Sequence, residues 1–501
     1  MKRRRFLGVA AGAAAGAVGC SDEAPSAADA GGAADAGGLD APAIDGSSGG
    51  DGAVAGPCPE ARVTLNVPDP TAGAVETLSA FALGVMAGDM TDTRAMVWTQ
   101  QSGNMPISLV IQAIDAQGRL SATARTEALT RGDGGFVHAD LGGLTPGTTY
   151  VYAFVLGAAG QPQQRSELGR FRTAPAPDSM GPLVFGGTSC THQRMAPFPV
   201  MAAAGRRDEL AFFVHAGDHA YCDGANDAAS YREKYARHWS AEGMRGLHRA
   251  HGLYCTWDDH EVGNNFDPET VNPAVFAAAR RAFFEHLPVR RDPAHPERIW
   301  RSFRWGRTAE IFVLDCRGER IPSTQSTPEA VYLSRPQMDW LKAGLRASTA
   351  VFKFVINSVP ITNFPEVFDE MAFVRDRWEG YPAARREILE YIGAERIANV
   401  WWLSGDFHMS SVARLDDTGP GAGMTEVLMG QGGNLGNPVF IVPGLTDRLF
   451  GQNPRWDYHS AQQNYTVFRV DPSAPSIEVA YYDCADRELF RRRYMGQAVT
   501  G

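Results

Sequence analysis

The sequence predicts an α/β protein with two folded regions, a small N-terminal β-sandwich and a larger layered α/β domain. Two observations predict this fold class. From about residue 76 to 177, short alternating apolar and polar stretches are separated by turn residues, as in all-β domains. After Pro182, continuous apolar runs alternate with helical stretches, as in domains whose strands are buried on both faces.

Residues 1–20 form a segment typical of export. Arg3 and Arg4, followed by Phe6 and Leu7, match a twin-arginine signal, which exports folded proteins in bacteria. The Ala-Val-Gly tripeptide before Cys20 resembles a lipobox, whose cysteine is lipidated. We therefore expect export by this route to the periplasm or the cell exterior, with membrane attachment only through a lipid on Cys20. The alternative is a cleaved signal in which Cys20 has no role.

The segment that follows, residues 21–75, is expected to be a disordered tether. Up to residue 57 it consists mostly of Ala, Gly, Asp and Ser, and it offers little apolar surface to bury. A long tether after a lipidated cysteine would allow a folded domain to stand away from a membrane.

Charge and cysteine content exclude two classes of protein. The net charge is −10 and no basic patch with interleaved aromatic residues occurs, so a nucleic-acid partner is not expected. Seven cysteines in 501 residues are too few for a disulfide scaffold, and no Cys-x-x-Cys zinc spacing occurs. Five cysteines can pair in an oxidising compartment, although the sequence gives no connectivity: Cys58, Cys222, Cys255, Cys316 and Cys484.

The strands of the β-sandwich are predicted at AMVWTQ, ISLVIQAID and TTYVYAFVLG. The stretch LTPGTTYVYAF and the later GRFRTAPAP resemble the end of a fibronectin- or immunoglobulin-like sandwich, where a final strand runs into a proline linker. The linker PAPDSMGP covers residues 175–182. We therefore assign residues 76–177 to the sandwich and residues 178–501 to the α/β domain.

The strands of the α/β domain are predicted from six apolar runs. They are LVFGGTSC (183–190), LAFFVHAGD (210–218), GLYCTWDD (252–259), AEIFVLDC (309–316), VFKFVINS (351–358) and NVWWLSGD (399–406). Helices are predicted at PAVFAAARRAFFEHL and RPQMDWLKAGLRAS, and further strands at MTEVLMG, YTVFRV and SIEVAYYD.

Most of these buried strands end in groups that can bind metal ions. The groups are Cys190, Asp218 with Tyr221, Asp258 with Asp259 and His260, and Asp406 with His408. Ligands of α/β sheets lie at the carboxyl ends of the strands, so we expect these side chains to converge on one rim. Carboxylates so close together repel one another and are costly to bury unless a cation lies beside them. The pattern therefore predicts a metal centre.

Several of these motifs together resemble the PhoD-like alkaline phosphatases, a family of the calcineurin-like metallophosphoesterase superfamily. The motifs are FALGVMAGDMTDTRAMVWTQ, SCTHQ, HAGDHAYCD, TWDDHEVGNN, FVLDCRGER, WEGYPAARREIL and LSGDFHMS. The resemblance implies a small β-sandwich followed by a four-layer α/β/β/α catalytic domain. It also implies export and the cleavage of phosphate monoesters or diesters by ferric iron working with calcium.

The resemblance implies a role for each matched residue. Cys190, Tyr221 and His408 correspond to iron ligands, Asp218 to the bridging carboxylate, Asp259 and Asp406 to ligands of the second metal, and His260 to the histidine that faces the substrate. The ligand chemistry agrees, because thiolate and imidazole suit a transition metal, whereas carboxylates suit calcium. Water bound to such a metal loses a proton near neutral pH and can attack phosphorus in line.

Five further residues are candidates for outer-shell or substrate contacts: Asp258, Glu261, Asn265, Arg317 and Asn357. Asp258 can orient His260, and Arg317 can bind phosphate in a bidentate manner. A buried pair between Arg317 and Asp315 is the interpretation that we favour for this arginine. The thiol of Cys222 beside Tyr221 departs from the family pattern: either Cys222 forms a disulfide, or it changes the coordination of the second metal.

Two alternatives to the iron–calcium phosphoesterase remain open. One is a surface lipoprotein that acts as a binding module on an inactive phosphatase scaffold, although such a protein should have lost some of the ligands. The other keeps the fold but holds zinc or manganese. The sequence leaves open whether the phosphate ester substrate is a monoester or a diester, and whether it is small or polymeric.

Overall fold

The computed structural model describes residues 58–71, 73–158, 160–364, 376–437, 447–451 and 453–498. The predicted export signal, and the predicted tether as far as residue 57, lie outside these ranges. Among the described helices, none combines the length and the apolar character that crossing a membrane requires.

The end of the predicted tether packs against the folded protein. Cys58 forms a disulfide with Cys484, which is 426 residues further along the chain. Val63 is buried beside Ala202, and its carbonyl oxygen accepts a hydrogen bond from the guanidinium of Arg249. The tether prediction is therefore too long at its C-terminal end, because covalent and polar contacts hold the chain from Cys58 onward.

The N-terminal region contains nine strands among its described residues. They are β1 (Val75–Glu76), β2 (Val85–Gly88), β3 (Ala95–Gln100), β4 (Ile107–Ile114), β5 (Arg125–Leu129), β6 (Phe136–Leu141), β7 (Thr149–Ala158), β8 (Gln161–Arg165) and β9 (Gly169–Arg172). Six of them form one sheet in the order β1-β8-β7-β4-β5, with β9 also paired to β7. The other three, β2, β3 and β6, face this sheet across a shared core, which confirms the predicted sandwich.

The rest of the chain supplies fourteen strands among its described residues. They are β10 (Leu183–Thr191), β11 (Phe213–His215), β12 (Leu253–Cys255), β13 (Arg301–Trp305), β14 (Ala309–Val313), β15 (Phe352–Ile356), β16 (Val400–Ser404), β17 (Ser410–Arg414), β18 (Thr425–Leu428), β19 (Gln431–Gly433), β20 (Trp456–Ser460), β21 (Tyr465–Asp471), β22 (Ser476–Tyr482) and β23 (Glu488–Met495). The six apolar runs each contain a strand, as predicted. The helices are α1 (Pro199–Gly205), α2 (Ala228–Trp239), α3 (Glu242–Ala250), α4 (Pro273–His286), α5 (Arg335–Ala347) and α6 (Pro382–Ala394).

Two large sheets pack face to face between two layers of helices. One sheet has the order β23-β22-β21-β10-β11-β12-β2-β3-β6, with β19 also paired to β10, and the other has the order β13-β14-β15-β16-β18-β17-β20. Phe185 of the first sheet meets Phe354 of the second edge to face, at 5.1 Å between ring centroids. Helices α1 to α4 cover the outer face of the first sheet, and α5 and α6 cover that of the second. The four-layer α/β/β/α prediction is confirmed.

The first sheet runs without a break from the sandwich into the α/β domain. Strand β2 pairs in parallel with β12, where Leu253 lies opposite Gly88, and β3 and β6 extend the sheet beyond β2. The guanidinium of Arg301 binds the buried carboxylate of Asp89 at 2.8 Å. Strand pairing therefore crosses the boundary that we placed at residues 177/178, because one sheet serves both regions.

Candidate metal centre

The candidate ligands lie where strands of both sheets end. Strands β10, β11 and β12 are parallel neighbours, so Cys190, Asp218 and Asp258 emerge at the same edge of the first sheet. Strand β16 of the second sheet leads to Asp406 and His408. Four of these five residues, all except Asp258, have positive φ angles of 47° to 67°. Such conformations cost about 1–3 kcal/mol each in non-glycine residues and concentrate at functional sites.

The first cluster of donors combines sulfur, oxygen and nitrogen. Cys190, Asp218 and His408 each offer one ligand atom, and these atoms all lie within 4.8 Å of one another. The phenol oxygen of Tyr221 donates to Asp218 Oδ2 at 2.9 Å and lies 3.1 Å from His408 Nε2. The amide Nδ2 of Asn434 donates to the same phenol oxygen and lies 2.9 Å from His408 Nε2. This donor set suits a transition metal.

The second cluster shares Asp218 with the first. Asp218, Asp259 and His260 also offer ligand atoms within 4.8 Å of one another. The ring of His260 lies 3.9 Å from that of Tyr221, centroid to centroid. Its Nδ1 lies 2.7 Å from Asp223 Oδ2. The shared Asp218 can therefore bridge two ions, while Asp223 fixes the orientation of the histidine.

The third cluster consists of carboxylates alone. Asp258, Asp259 and Asp406 offer oxygens within 4.8 Å of one another. Arg317, whose side chain is fully buried, lies against them: its guanidinium binds Asp258 and Asp406 and lies 3.7 Å from Asp259. The favoured pairing of Arg317 with Asp315 is wrong, because the Asp315 carboxylate instead accepts from the Trp257 indole and from backbone N–H groups. A bidentate phosphate contact by Arg317 is also excluded, since none of its side chain is exposed.

Burial makes the anionic forms of these ligands costly. It raises the pKa of the Asp218 and Asp258 carboxyls well above their usual range. Burial, together with the charge of Asp218, also raises the pKa of the Cys190 thiol and the Tyr221 phenol. The ionised forms that bind metals therefore need added positive charge at this place.

The pKa values of the remaining candidate ligands are set by a balance between burial and nearby charges. Burial raises the pKa of Asp406 to about 6 and lowers that of His408 to about 4. For Asp259, burial acts to raise the pKa, but the charges of His260 and Arg317 lower it by more. The pKa of Asp259 therefore lies below the usual range. His408 is thus neutral at pH 7, which is the form in which imidazole binds a metal.

The three clusters therefore fit a metal centre. Their donors are buried and close together, and among the described residues Arg317 is the only arginine hydrogen-bonded to Asp218, Asp258, Asp259 or Asp406. One guanidinium does not balance four carboxylates, whereas metal ions would. The sulfur, phenol and imidazole donors lie at one end, and the carboxylates at the other.

The other predicted residues support the loops that carry the ligands. The Glu261 carboxylate accepts from the backbone N–H groups of Asp218 at 3.2 Å and Asp258 at 2.9 Å. The backbone N–H of Asn265 donates to Asp259 Oδ2. Both ends of the Asn357 amide are used by structural partners: its oxygen accepts from the Cys316 thiol and the Trp378 indole, and its nitrogen donates to Val359 O and Ser404 Oγ.

The thiol of Cys222 is free and lies in the apolar core, so the disulfide considered for it is excluded. It packs in the same cluster as Ala220 and Tyr231 and belongs to none of the three ligand clusters. Cys222 therefore acts as a small apolar side chain.

Three residues near the centre escaped prediction from the sequence: Asp223, Asp376 and Asn434. Asp223 stands inside a motif in which we singled out Asp218, Tyr221 and Cys222 but not Asp223. Asp376 accepts from Arg317 Nη1 at 2.7 Å. Asn434 follows β19 in the stretch QGGNLGN, where only the paired glycines hinted at a close approach. Asp223 and Asn434 lie in loops, where no periodicity reveals the direction of a side chain.

Comparisons with known proteins identify the family. A family model described as PhoD-like phosphatase matches residues 183–474, and one described as PhoD-like phosphatase, N-terminal domain, matches residues 69–175. Alkaline phosphatase D of Bacillus subtilis (strain 168) is 28% identical over 455 residues, which cover 78% of this chain and 76% of the relative.

Two solved structures share the fold over most of the chain. The structure of PhoD superposes with a TM-score of 0.70 at 22% identity, and the match covers 83% of this chain and 89% of that one. The structure of purple acid phosphatase PPD1 from yellow lupin seeds superposes with a TM-score of 0.58 at 10% identity, covering 82% and 73% of the two chains.

Proposed function

Because the chain belongs to the PhoD-like phosphatases, and is therefore a phosphoric ester hydrolase, we propose that it is an exported enzyme that cleaves phosphate monoesters or diesters at an iron–calcium centre. The observation that carries this proposal is the convergence of Cys190, Asp218, Tyr221 and His408 beside Asp259 and His260. A binding module has no need of such a buried and strained donor set, and the binding-module alternative is not retained.

The types of donor support different metals at the two ends of the centre. Cys190, Tyr221 and His408 would hold ferric iron, Asp218 would bridge, and Asp259 and Asp406 would hold calcium. Thiolate and phenolate together favour iron over zinc or manganese, while a site of carboxylates favours calcium. Zinc or manganese in the same positions is the alternative.

The protein's own groups would position the substrate and move a proton. When bound, the metal pair supplies Lewis acidity to the phosphoryl group and makes water acidic enough to act as a nucleophile. Asp223 contacts His260 at Nδ1, and Nε2 lies on the opposite edge of the ring. His260 would donate a proton from Nε2 to the leaving oxygen, or a hydrogen bond to the phosphoryl group.

Export would follow from the first 20 residues. Arg3 and Arg4 support the twin-arginine route, which carries folded proteins and would allow metal loading before export. Cys20 would carry the lipid anchor, so that the enzyme acts on phosphate esters outside the cytoplasm. Replacing Arg3 and Arg4 by lysine should retain the protein in the cytoplasm, as measured by cell fractionation. Unchanged export would contradict the proposed route.

Hydrolysis assays test the proposed activity directly. The exported protein should release p-nitrophenol from p-nitrophenyl phosphate or from bis-p-nitrophenyl phosphate, and the faster of the two identifies the monoester or diester preference. Asp218→Asn should abolish turnover, because it removes the bridging charge. Asp178→Asn, which alters an exposed aspartate before β10, should not affect it. Wild-type activity in Asp218→Asn would contradict the proposed centre.

A further inference from the structure

Asn434 lies directly after β19, beside the phenol and imidazole donors of the centre. Strand β19 pairs in parallel with β10, where Gly433 lies opposite Thr191. The backbone N–H of His192 donates to the carbonyl oxygen of Gly433 at 2.6 Å. Gln463 Nε2 donates to the carbonyl oxygen of Asn434 at 3.0 Å. Two separate segments therefore hold the backbone that carries Asn434.

The amide of Asn434 has a fixed orientation. Its Oδ1 accepts a hydrogen bond from the backbone N–H of Leu435 at 2.8 Å, which identifies the oxygen end of the amide. The nitrogen end donates to the phenol oxygen of Tyr221 and lies 2.9 Å from His408 Nε2. Asn434 is only 6% exposed, so water has little access to these contacts.

Asn434 differs from the other partners of the Tyr221 phenol oxygen. Those partners, Asp218 and His408, are themselves candidate metal ligands. In the described part of the chain, Asn434 is the only hydrogen-bond partner of this oxygen outside the ligand set. An ionised phenol has lost the proton that it donates, but its oxygen still accepts hydrogen bonds. Because such bonds are about twice as strong when the acceptor is charged, the amide is suited to a phenolate.

We propose that Asn434 is a positioning residue that donates a hydrogen bond to the Tyr221 phenolate and so limits the electron density that this ligand gives to the iron. The inference rests on the proposed function, because it presumes a metal-bound phenolate. Hydrogen bonds to ligand atoms orient these ligands and tune the metal that they bind. A metal ion that receives less electron density from its ligands is a stronger Lewis acid, which favours phosphoryl transfer.

The visible spectrum of the iron-loaded enzyme tests this inference. Asn434→Leu keeps the approximate shape of the side chain but removes the N–H donor. The charge-transfer band should move to longer wavelength, because the phenolate orbital that supplies the electron is no longer stabilised. Asn434→Asp keeps the acceptor for Leu435 N–H, lacks the donor and should shift the band in the same direction. It decides the question if the leucine variant does not fold, and an unshifted band in a folded variant would overturn the inference.

Gln463→Met is the matched control for a displaced loop. This variant removes the hydrogen bond to the backbone oxygen of Asn434 but leaves the amide of Asn434 intact. The band should therefore keep its wild-type position. If the band shifted as far in Gln463→Met as in Asn434→Leu, movement of the loop rather than the lost hydrogen bond would be the cause, and the inference would be wrong.

Metal affinity in a double-mutant cycle provides a second readout. Asn434→Leu should lower the affinity for the metal at this end of the centre by about 10-fold. In the Tyr221→Phe background the phenol oxygen is missing, so the same substitution should lower the affinity little further. Equal losses in the two backgrounds would show that Asn434 does not act through Tyr221.

The two readouts also separate this inference from the choice of metal. A colourless wild-type protein that binds zinc or manganese would refute the iron proposal, while the double-mutant cycle with that metal would still test the role of Asn434. A wild-type protein that binds no metal would refute both proposals.

Discussion

The pairing of His260 with Asp223 gives the centre an oriented imidazole. The 2.7 Å contact of Nδ1 with the Asp223 carboxylate fixes the orientation of the ring. The ring also lies against that of Tyr221, at 3.9 Å between centroids. A histidine held in this way is suited to donate a proton or a hydrogen bond to a phosphoryl group, and it need not serve as a metal ligand.

Replacing Asp223 should therefore slow turnover without removing the metals. We expect Asp223→Asn to lower kcat by about 10- to 100-fold, because the imidazole loses the charge that orients it. Metal content should stay that of the wild type, since Asp223 belongs to none of the ligand clusters. Steady-state kinetics and elemental analysis measure the two effects.

Asp227→Asn is a suitable control for this variant. Asp227 is exposed and caps α2, and asparagine caps a helix about as well as aspartate, so this variant should leave both stability and kcat unchanged. Equal losses of kcat in the two variants, or an undiminished kcat in Asp223→Asn, would show that the contact with His260 has no part in turnover.

For individual residues, the sequence predicted the candidate metal ligands better than it predicted the side chains that contact them. Asp218 and Asp406 follow apolar runs, and a polar group at the end of a buried strand is a visible signal. Asp223 and Asn434 lie in loops, and the contact of Asn434 with Tyr221 joins residues 213 positions apart. The partners of Arg317 depend likewise on the packing of separate loops, which explains why we expected Asp315 and found Asp258, Asp376 and Asp406.

The strand ends meet so closely that one of them requires glycine. Gly217, directly before Asp218, has a φ angle of +105°, and a Cβ atom there would lie 2.6 Å from Asp258 Cβ and 2.8 Å from Asp258 N. This close approach brings the loops after β11 and β12 together. It therefore contributes to the spacing of the ligands.

Gly217→Ala should consequently disturb the metal centre. The added methyl group must push the two loops apart, and we expect metal affinity to fall about 10-fold or more. Gly118→Ala provides a matched control, because Gly118 has a φ angle of +77° but a Cβ atom there would meet no other atom within 4 Å. Gly118→Ala should therefore lose only the stability that backbone strain costs, about 1 kcal/mol. Similar metal affinities in the two variants would argue against the close approach.

Helix α4 contains a histidine that should make stability depend on pH. Burial lowers the pKa of His286 to about 4, whereas an unfolded histidine has a pKa of about 6.5. Between these values the unfolded state binds more protons, so this contribution is fully present above pH 6.5 and is lost as the pH falls toward 4. The loss should approach about 3 kcal/mol in total.

Urea unfolding of His286→Phe at several pH values tests this linkage. The difference in unfolding free energy between the variant and the wild type should shift in favour of the variant as the pH falls from 6.5 to 4. His295→Phe, at an exposed position, should follow the wild-type profile. A pH-independent difference for His286→Phe would mean that this histidine does not contribute to acid sensitivity.

The disulfide between Cys58 and Cys484 links the two ends of the described chain. It closes a loop of 426 residues, for which the chain-entropy model gives up to about 6 kcal/mol, although measured values are more often 2–5 kcal/mol. The Cys58→Ser/Cys484→Ser variant should therefore unfold at a lower urea concentration. Each single variant should lose as much as the double variant, because each breaks the same bond. Additive losses would indicate that the cysteines act separately.

At the scale of the molecule, the sequence predicted the layers but not how they join. Apolar runs such as residues 183–190 predicted strands buried on both faces, and these strands do form two facing sheets. The pairing of β2 with β12 joins residues about 165 positions apart, and no local pattern encodes it. The same reason explains why the disulfide partner of Cys58 could not be predicted, and why the predicted tether was too long.

The metal content and visible spectrum of the exported protein test the central claim most directly. We expect iron at about one per chain, with a broad visible absorption band that disappears in Tyr221→Phe, because phenolate bound to ferric iron absorbs visible light. Calcium should accompany the iron. Colourless protein that contains only zinc or manganese would contradict the iron assignment, and protein that takes up no stoichiometric metal would contradict the metal centre itself.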